Sequence, residues 1–256
     1  MTRLHTHGVD TGYPGRPLVR GLDLRIEAGQ VWALLGNNGA GKSTLLHALS
    51  GLRPAQAGVI ELDGHPLASF TAAARARRIG LLLQEDLSGF WGTVRDYVLL
   101  GRYPHRRSLW GWGECDVACA EAAIAELDLD GRAHRPLAAL SGGERQRARL
   151  AMLFAQAPAV LLLDEPLQHL DLRHQRDVLV RLRRWAGEGD RAAVMSLHDP
   201  VAARRFCDHA LLLYDDGSWR AGRADALLDD TTLEGLYGCA LGGEDAAAQG
   251  RSGRHV

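Results

Sequence analysis

The stretch that most restricts the fold of this chain is a glycine-rich loop between an apolar run and a helical run. The apolar run is VWALLG at residues 31–36, and the helical sequence LLHALSGL follows at residues 45–52. A strand without polar side chains is typical of a parallel sheet that is covered on both faces. The order strand, loop, helix therefore predicts one unit of an α/β sheet.

The remaining chain follows the same alternation. Further strands are predicted at residues 19–26, 59–62, 77–84, 159–165 and 193–199, with a closing hairpin in HALLLYDDGSWRAG. Residues 85–140 read mainly as helices, including TVRDYVLLGR and DVACAEAAIAELDL. Strands that alternate with helices favour a mainly parallel sheet with helices on both faces, here carrying a helical insertion.

The loop itself, GNNGAGKS at residues 36–43, matches the phosphate-binding pattern G-x-x-x-x-G-K-[ST]. Its glycines let backbone N–H groups point at phosphate oxygens, and the helix N-terminus favours an anion. Lys42, the only lysine in the chain, is expected at the β- and γ-phosphates, and the Ser43 hydroxyl on Mg²⁺. The nucleotide-binding residues predicted here are Gly36, Asn37, Asn38, Gly39, Ala40, Gly41, Lys42, Ser43 and Thr44.

Two carboxylates end the apolar run VLLL at residues 160–163. Asp164 and Glu165 are expected in the crevice at the carboxyl ends of the strands, where α/β sheets bind ligands. Asp164 is predicted to hold Mg²⁺, and Glu165 to orient and polarise the attacking water. The alternative is a helix-capping Asp followed by a solvated Glu.

A second glycine pair lies in LSGGERQR, just before another helical run. Ser141 and Glu144 have the spacing of a capping box, which would satisfy N–H groups at the helix start. Gly142 and Gly143 leave the backbone of that helix end accessible, so it is also a candidate anion site, although it has no lysine.

Composition removes several classes of function. The 256 residues carry a formal net charge of −1 and 46% apolar residues, so nothing indicates a nucleic-acid partner or general disorder. The four cysteines form no CxxC pair, which makes a zinc or redox site the weaker explanation and fits a reducing compartment. No apolar run is long enough to span a membrane, and the first residues lack a hydrophobic signal region, so we expect a soluble protein.

Over residues 3–240, the chain resembles the ABC transporter ATPase family. The motifs occur in the family's order: Tyr13, the phosphate loop, Gln84, the signature at residues 140–144, Asp164–Glu165, HLD at residues 169–171, and His198. The implied fold is α/β, a P-loop NTPase with a mainly parallel core sheet, an N-terminal antiparallel β part and a helical insertion. The implied domains are residues 1–84 and 141–240 for the ATPase core, 85–140 for the helical subdomain, and 241–256 for a flexible tail.

The resemblance also implies how the site is built. Two copies would pair head to tail, so that Ser141, Gly142, Gly143 and Glu144 of one chain close on the nucleotide held by Lys42 of the other. Asp171 would organise that interface. ATP and Mg²⁺ are the implied cofactors. The remaining assignments are Tyr13 against adenine (or an ordinary aromatic at a turn), Gln84 at Mg²⁺ or the water, and His198 at the γ-phosphate.

Departures from the usual family pattern affect the interface more than the chemistry. Asn37 replaces a common proline, Leu167 and Gln168 precede HLD, and Glu144 stands where Gln is frequent. None of these changes removes a group with a catalytic assignment.

The segment TVRDYVLLGRYPHRRSLWGWG resembles ATPases that drive import of ferric siderophores, haem and vitamin B12. This likeness implies a homodimer on a separate permease at the cytoplasmic side of the inner membrane, with an external solute-binding protein. Cobalamin is favoured slightly over ferric siderophore, and both over haem. The alternatives are an exporter motor, and a soluble ABC ATPase that acts on ribosomes or DNA. The aromatic side chains of the insertion form either a small core or, in part, a groove for a permease helix. They are Phe90, Trp91, Tyr97, Tyr103, Trp110 and Trp112.

Overall fold

A computed structural model describes residues 1–83, 89–106 and 111–238. It contains two sheets, a set of helices around the larger sheet, and a mainly helical region inserted in the chain between two strands of that sheet. The predicted α/β class with an antiparallel N-terminal part is confirmed.

The smaller sheet has the strand order β2-β1-β4-β5, and all its neighbours are antiparallel. Its strands are β1 (Thr2–Tyr13), β2 (Arg16–Glu27), β4 (Ala57–Leu62) and β5 (His65–Pro66). Its buried residues, such as Leu4, Ile26 and Leu62, pack on the larger sheet. The sheet brings Tyr13, at the end of β1, to the same edge of the molecule as the phosphate loop.

The larger sheet has the order β10-β9-β3-β8-β7-β6. Its strands are β3 (Val31–Gly36), β6 (Ile79–Leu82), β7 (Val160–Leu163), β8 (Ala192–Ser196), β9 (His209–Leu213) and β10 (Trp219–Arg223). The first five of these strands run parallel, and β10 joins β9 as an antiparallel edge strand, as the predicted hairpin requires.

Every residue of β3, β7 and β8 is buried, because helices and the smaller sheet cover both faces. Successive side chains of β3 alternate between two cores: Val31, Ala33 and Leu35 enter one, while Trp32 and Leu34 enter the other. The continuous apolar runs in the sequence reflect this double coverage.

The helices are α1 (Lys42–Leu49), α2 (Ala72–Ala76), α3 (Val94–Leu99), α4 (Glu114–Glu126), α5 (Gly142–Gln156), α6 (Leu172–Gly187), α7 (Pro200–Phe206), α8 (Ala224–Leu227) and α9 (Asp230–Tyr237). Short 3-10 helices occupy Leu67–Ser69, Leu100–His105, Asp130–Arg132 and Leu137–Ala139. None of the described helices is long and apolar enough to cross a membrane.

Helix α5 packs against α3, α4 and the 3-10 helix Leu100–His105. Buried Arg102 connects these elements: its Nε donates to Asp116 Oδ1 at 3.0 Å, and one terminal nitrogen donates to the Ala155 carbonyl at 2.8 Å. His105 Nε2 lies 2.9 Å from the Gln156 carbonyl. The LGRYPH segment therefore supports the C-terminal end of the helix that begins with the signature.

Candidate active site

The phosphate loop joins β3 to α1 at the carboxyl end of the parallel sheet. Gly41, the residue before α1, has φ of 102°, and a Cβ there would lie 2.8 Å from Leu18 Cβ. A side chain at this position would be both strained and too close to its neighbour. The glycine thus permits the turn that aims the N-terminus of α1 into the loop.

Lys42 is buried and its ammonium group closes the loop. Its Nζ donates to the Gly36 carbonyl at 2.8 Å and to the Asn37 carbonyl at 2.9 Å. Burial lowers the pKa of Lys42, and the nearby carboxylates of Glu165 and Asp164 oppose that shift. Both acids therefore lie close enough to act electrostatically on this ammonium group.

A cavity of about 330 Å³ opens over the loop. It is lined by Tyr13, Arg16, Leu18, Asn38, Gly39, Gly41, Lys42, Ser43, Thr44 and Glu165. The structure thus brings together three separately predicted groups: Tyr13, the loop and Glu165. The Tyr13 ring is half exposed, and the Arg53 guanidinium carbon lies 5.2 Å from its centre.

The two acids are held by the ends of neighbouring strands. Asp164 is buried after β7, and its Oδ1 accepts a hydrogen bond from Ser196 Oγ at 2.8 Å. The same Oγ accepts from the Glu165 backbone N–H at 2.7 Å. His198 Nε2 lies 2.9 Å from Glu165 Oε1. Sequence reasoning missed Ser196, whose only signal is its position as the last residue of the strand beside β7.

The residues at the loop fit a magnesium ion. Mg²⁺ prefers oxygen ligands, and it is held in such sites by one or two protein side chains and the nucleotide phosphates. Ser43 offers an exposed hydroxyl in the cavity. Asp164 offers a carboxylate whose charge raises the pKa of Lys42, the residue before Ser43. Gln84, the third predicted magnesium ligand, lies outside the described residues.

The signature forms the N-terminus of α5, and the predicted capping box is present. The Glu144 backbone N–H donates to Ser141 Oγ at 3.2 Å, while Glu144 Oε2 accepts from the Ser141 N–H at 3.0 Å. The pKa of Glu144 lies below its usual value, mainly because its carboxylate accepts from the Ser141 N–H. The Arg132 guanidinium, which donates to Oε1, contributes less. Glu144 is therefore a fixed anion at this helix end.

The signature glycines face a cavity of about 670 Å³. It is lined by Arg132, Ser141, Gly142, Gly143, Glu144, Arg147, His169, Leu170, Asp171 and His174. Asp171 caps α6 by accepting from the His174 N–H at 2.9 Å. Within the described part of the chain, this cavity and the cavity over Lys42 have no lining residue in common. Ser141 and Asp171 therefore line a separate cavity from the one over Lys42.

Helix α5 also contacts the strand ends that hold the acids. Gln146 is buried, and its Nε2 donates to the Pro166 carbonyl at 2.9 Å. A terminal nitrogen of Arg149 donates to the Leu83 carbonyl, just beyond β6. These two residues were not predicted, because a helical run gives no sign of which loops its polar residues reach.

Two further sequence features are placed by the structure. Asn37, in place of the common proline, donates from Nδ2 to Asp215 Oδ2 at 2.9 Å, so it ties the loop to the turn after β9. Cys115 is exposed and Cys207 is buried; burial raises the pKa of the Cys207 thiol to about 12.

A phosphate loop at the end of a buried parallel strand, with two carboxylates at the end of another strand of the same sheet, defines a nucleotide-binding P-loop protein. The ABC transporter family matches residues 19–168, which is more than half of the chain. The chain belongs to the ABC transporter family, as its ATP-binding subunit, and it is an ATPase. The predicted family and activity are confirmed.

The relatives share most of their length with this chain. The achromobactin transport ATP-binding protein of Dickeya dadantii is 35% identical over 93% of this chain and 88% of its own length. The hemin import ATP-binding protein of Streptomyces coelicolor is 43% identical over 83% of this chain and 72% of its own. A cobalamin import ATP-binding protein of Halobacterium salinarum is 36% identical over 91% of this chain, but only 58% of its own length.

Solved structures give the same fold. An inward-facing structure of a metal-chelate type ABC transporter matches with a TM-score of 0.81 and 29% identity, over 93% of this chain and 90% of the matched chain. A bacterial Atm1-family exporter with ATP bound matches with a TM-score of 0.77 and 26% identity, over 93% of this chain and 41% of the exporter chain.

Proposed function

We propose that this chain is the ATP-hydrolysing motor subunit of an importer that takes up a metal chelate through a separate permease. The observation that carries the proposal is the agreement between the relatives, which are named for achromobactin, hemin and cobalamin transport, and the structural neighbour of metal-chelate type. The LGRYPH segment, on which the same prediction was made from sequence, forms an ordered support for α5.

ATP binding is assigned to the cavity over the loop. Backbone N–H groups and Lys42 would receive the phosphates, and the Tyr13 ring would stack on adenine at the other end of the cavity. Ser43 and Asp164 would hold Mg²⁺, which neutralises part of the phosphate charge when it is bound. When a phosphate binds, its oxygens would replace the Gly36 and Asn37 carbonyls as the hydrogen-bond acceptors of Lys42. The buried ammonium group would then still have partners.

Hydrolysis is assigned to Glu165 and His198. Glu165 would orient and polarise the attacking water, and its contact with His198 Nε2 would hold the carboxylate in one rotamer. In the nucleotide complex, His198 would also donate to the γ-phosphate. This arrangement relies on positioning and charge, which are the main contributions to phosphoryl transfer.

The complete site would need two copies of the chain. Because the signature residues line a separate cavity from the loop, Ser141, Gly142 and Gly143 would meet the phosphate of a second molecule. A twofold dimer makes two such sites from one pair of surfaces. Glu144 and Asp171 would lie beside the nucleotide of the partner.

The helical region is assigned to the permease. Its aromatic residues divide into two groups: Tyr97 is buried with Phe90 edge-on to it, whereas Trp91 and Tyr103 are 95% and 65% exposed. Large exposed aromatic side chains are characteristic of interaction sites. Trp91 and Tyr103 would therefore contact a permease helix at the cytoplasmic face of the inner membrane, and an external binding protein would select the cargo. Trp110 lies outside the described residues.

The exporter alternative draws on the likeness to the exporter ATPase, but that likeness concerns the ATP-binding domain that importers share. The ribosome- or DNA-directed alternative has no support among the relatives named above. Cobalamin, a ferric siderophore and haem all remain candidate cargoes, in the order given by the sequence.

The test is uptake in the native cell after replacement of the wild-type gene by Lys42→Ala. Labelled cobalamin, ferric siderophore and haem are supplied in parallel, with a wild-type copy restored as the control. Loss of one uptake, recovered by the wild-type copy, would support the proposal and identify the cargo. Normal uptake of all three in cells without redundant transporters would contradict it.

A further inference from the structure

The outer face of the antiparallel sheet carries three potential metal ligands, away from the ATP site. His5 and His7 are two residues apart in β1, so their side chains leave the same face of the strand. Leu4, before His5, and Thr6, between the two histidines, are buried on the other face. Across the β1–β4 pair, His5 lies directly opposite Glu61.

The three side chains converge. Glu61 Oε2 lies 3.4 Å from His7 Nε2 and 4.0 Å from His5 Nδ1. The two imidazole rings lie 3.8 Å apart between centres, with 50° between their planes. One ligand atom from each residue falls within 4.8 Å of the other two. In a tetrahedral zinc site with bonds of about 2.0–2.1 Å, ligand atoms are separated by about 3.4 Å, so modest side-chain rotations would complete the geometry.

We propose that His5, His7 and Glu61 bind a divalent transition-metal ion, of which Zn²⁺ is the representative. Two imidazoles and a carboxylate are a donor set that suits zinc, copper or nickel rather than Mg²⁺. Three protein ligands leave a fourth position for water, and the half-exposed His7 keeps this position open to solvent. The site is thus distinct in chemistry and place from the oxygen ligands at Ser43 and Asp164.

The surrounding charges permit a cation here. Arg25 faces His5 from the opposite neighbouring strand, but its Nε lies 2.8 Å from Thr2 Oγ1 and 3.3 Å from a carboxylate oxygen of Glu27. Glu61 provides a negative charge, so a site with Glu61 should bind a cation more tightly than two neutral imidazole rings alone. The competing explanation is that Glu61 simply pairs with a protonated histidine, and the experiment must separate the two.

The test uses the full chain after removal of metal with a chelator and without nucleotide, since ATP itself binds divalent metals. Zn²⁺ is titrated in competition with a chromophoric chelator, and Co²⁺ is titrated while its visible absorption is recorded. His5→Gln, His7→Gln, Glu61→Gln and the triple variant are compared with wild type. His65→Gln, an exposed histidine of β5 in the same sheet, is the matched control.

We expect one tight Zn²⁺ per wild-type chain and a Co²⁺ spectrum of a four-coordinate ion. Each single substitution should weaken binding at least about tenfold, and His65→Gln should not change it. Zn²⁺ should also raise the unfolding temperature of the wild-type chain, and this rise should disappear in the triple variant. Unchanged zinc affinity in the triple variant would overturn the proposal in favour of other ligands. Absence of a tightly bound Zn²⁺ in the wild-type chain would overturn it in favour of an ion pair. Unfolding temperatures measured without metal would establish whether the variants are folded.

Discussion

Ser196 ends β8, and its hydroxyl connects the two acids of the proposed hydrolytic site. Its Oγ donates to Asp164 Oδ1 at 2.8 Å and accepts from the Glu165 N–H at 2.7 Å. Ser196 and Asp164 are both buried, so water cannot readily replace the hydroxyl. We therefore expect Ser196→Ala to destabilise the fold and to slow ATP hydrolysis.

The size of the effect follows from the two lost hydrogen bonds. A hydrogen bond to a charged group contributes about 1.5–3 kcal/mol, and a neutral one about 1 kcal/mol. The free energy of unfolding should thus fall by about 2.5–4 kcal/mol. If about half of that free energy acts in the transition state, by keeping Asp164 and Glu165 in place, kcat should fall roughly 8- to 30-fold.

Two measurements check this expectation. Urea unfolding gives the free energy of unfolding, and phosphate release at saturating ATP over a range of Mg²⁺ concentrations gives kcat and the apparent Mg²⁺ affinity. Ser218→Ala is the matched control, because Ser218 Oγ also donates to a carboxylate, Asp216 Oδ1 at 2.6 Å, but in an exposed turn. Its stability should change by less than about 0.5 kcal/mol. Wild-type stability and kcat in Ser196→Ala would refute the reasoning.

Three further outcomes are expected. Glu165→Gln should bind ATP, hydrolyse it slowly and accumulate a dimer detectable by light scattering; turnover at the wild-type rate would exclude Glu165 as the residue that polarises water. Trp91→Ala and Tyr103→Ala should keep the ATPase rate of the isolated subunit but reduce uptake, and unchanged uptake with normal folding would contradict the proposed permease contact. At pH 8, a thiol with a pKa of about 12 is thiolate only about one time in ten thousand. A thiol reagent should therefore modify the exposed Cys115 long before Cys207, as mass spectrometry of digested protein can establish; equal rates would contradict the burial of Cys207.

The parallel strands were predictable because burial on both faces leaves an unbroken apolar run. β3 coincides with its predicted run, whereas the strand predicted over residues 77–84 is shorter, Ile79–Leu82. β1 was not predicted as an individual strand. Its outer face carries His5 and His7, and its pairing with β2 shifts register several times, so no simple alternation survives in the sequence.

The site divides in the same way. The phosphate loop, the capping box and the acids are local patterns, so their backbone geometry is encoded within a few consecutive residues. Ser196 reaches Asp164 across 32 residues of sequence, Gln146 reaches the Pro166 carbonyl across 20, and Arg149 reaches the Leu83 carbonyl across 66. Such partners depend on strand order and helix packing, which no local pattern specifies.

These long-range contacts converge on α5. Its first turn carries the signature, Gln146 and Arg149 hydrogen-bond the segments just beyond β7 and β6, and its last turn accepts hydrogen bonds from Arg102 and His105 of the helical region. A rigid-body shift of this 15-residue helix would change the contacts at both of its ends. Closure of a second chain on the signature would therefore be transmitted both to the loop after Glu165 and to the 3-10 helix Leu100–His105, which carries the exposed Tyr103. Helix α5 thus contacts both the strand ends beside the acids and the segment that carries Tyr103, and it would couple the two if the proposed dimer and permease contacts form.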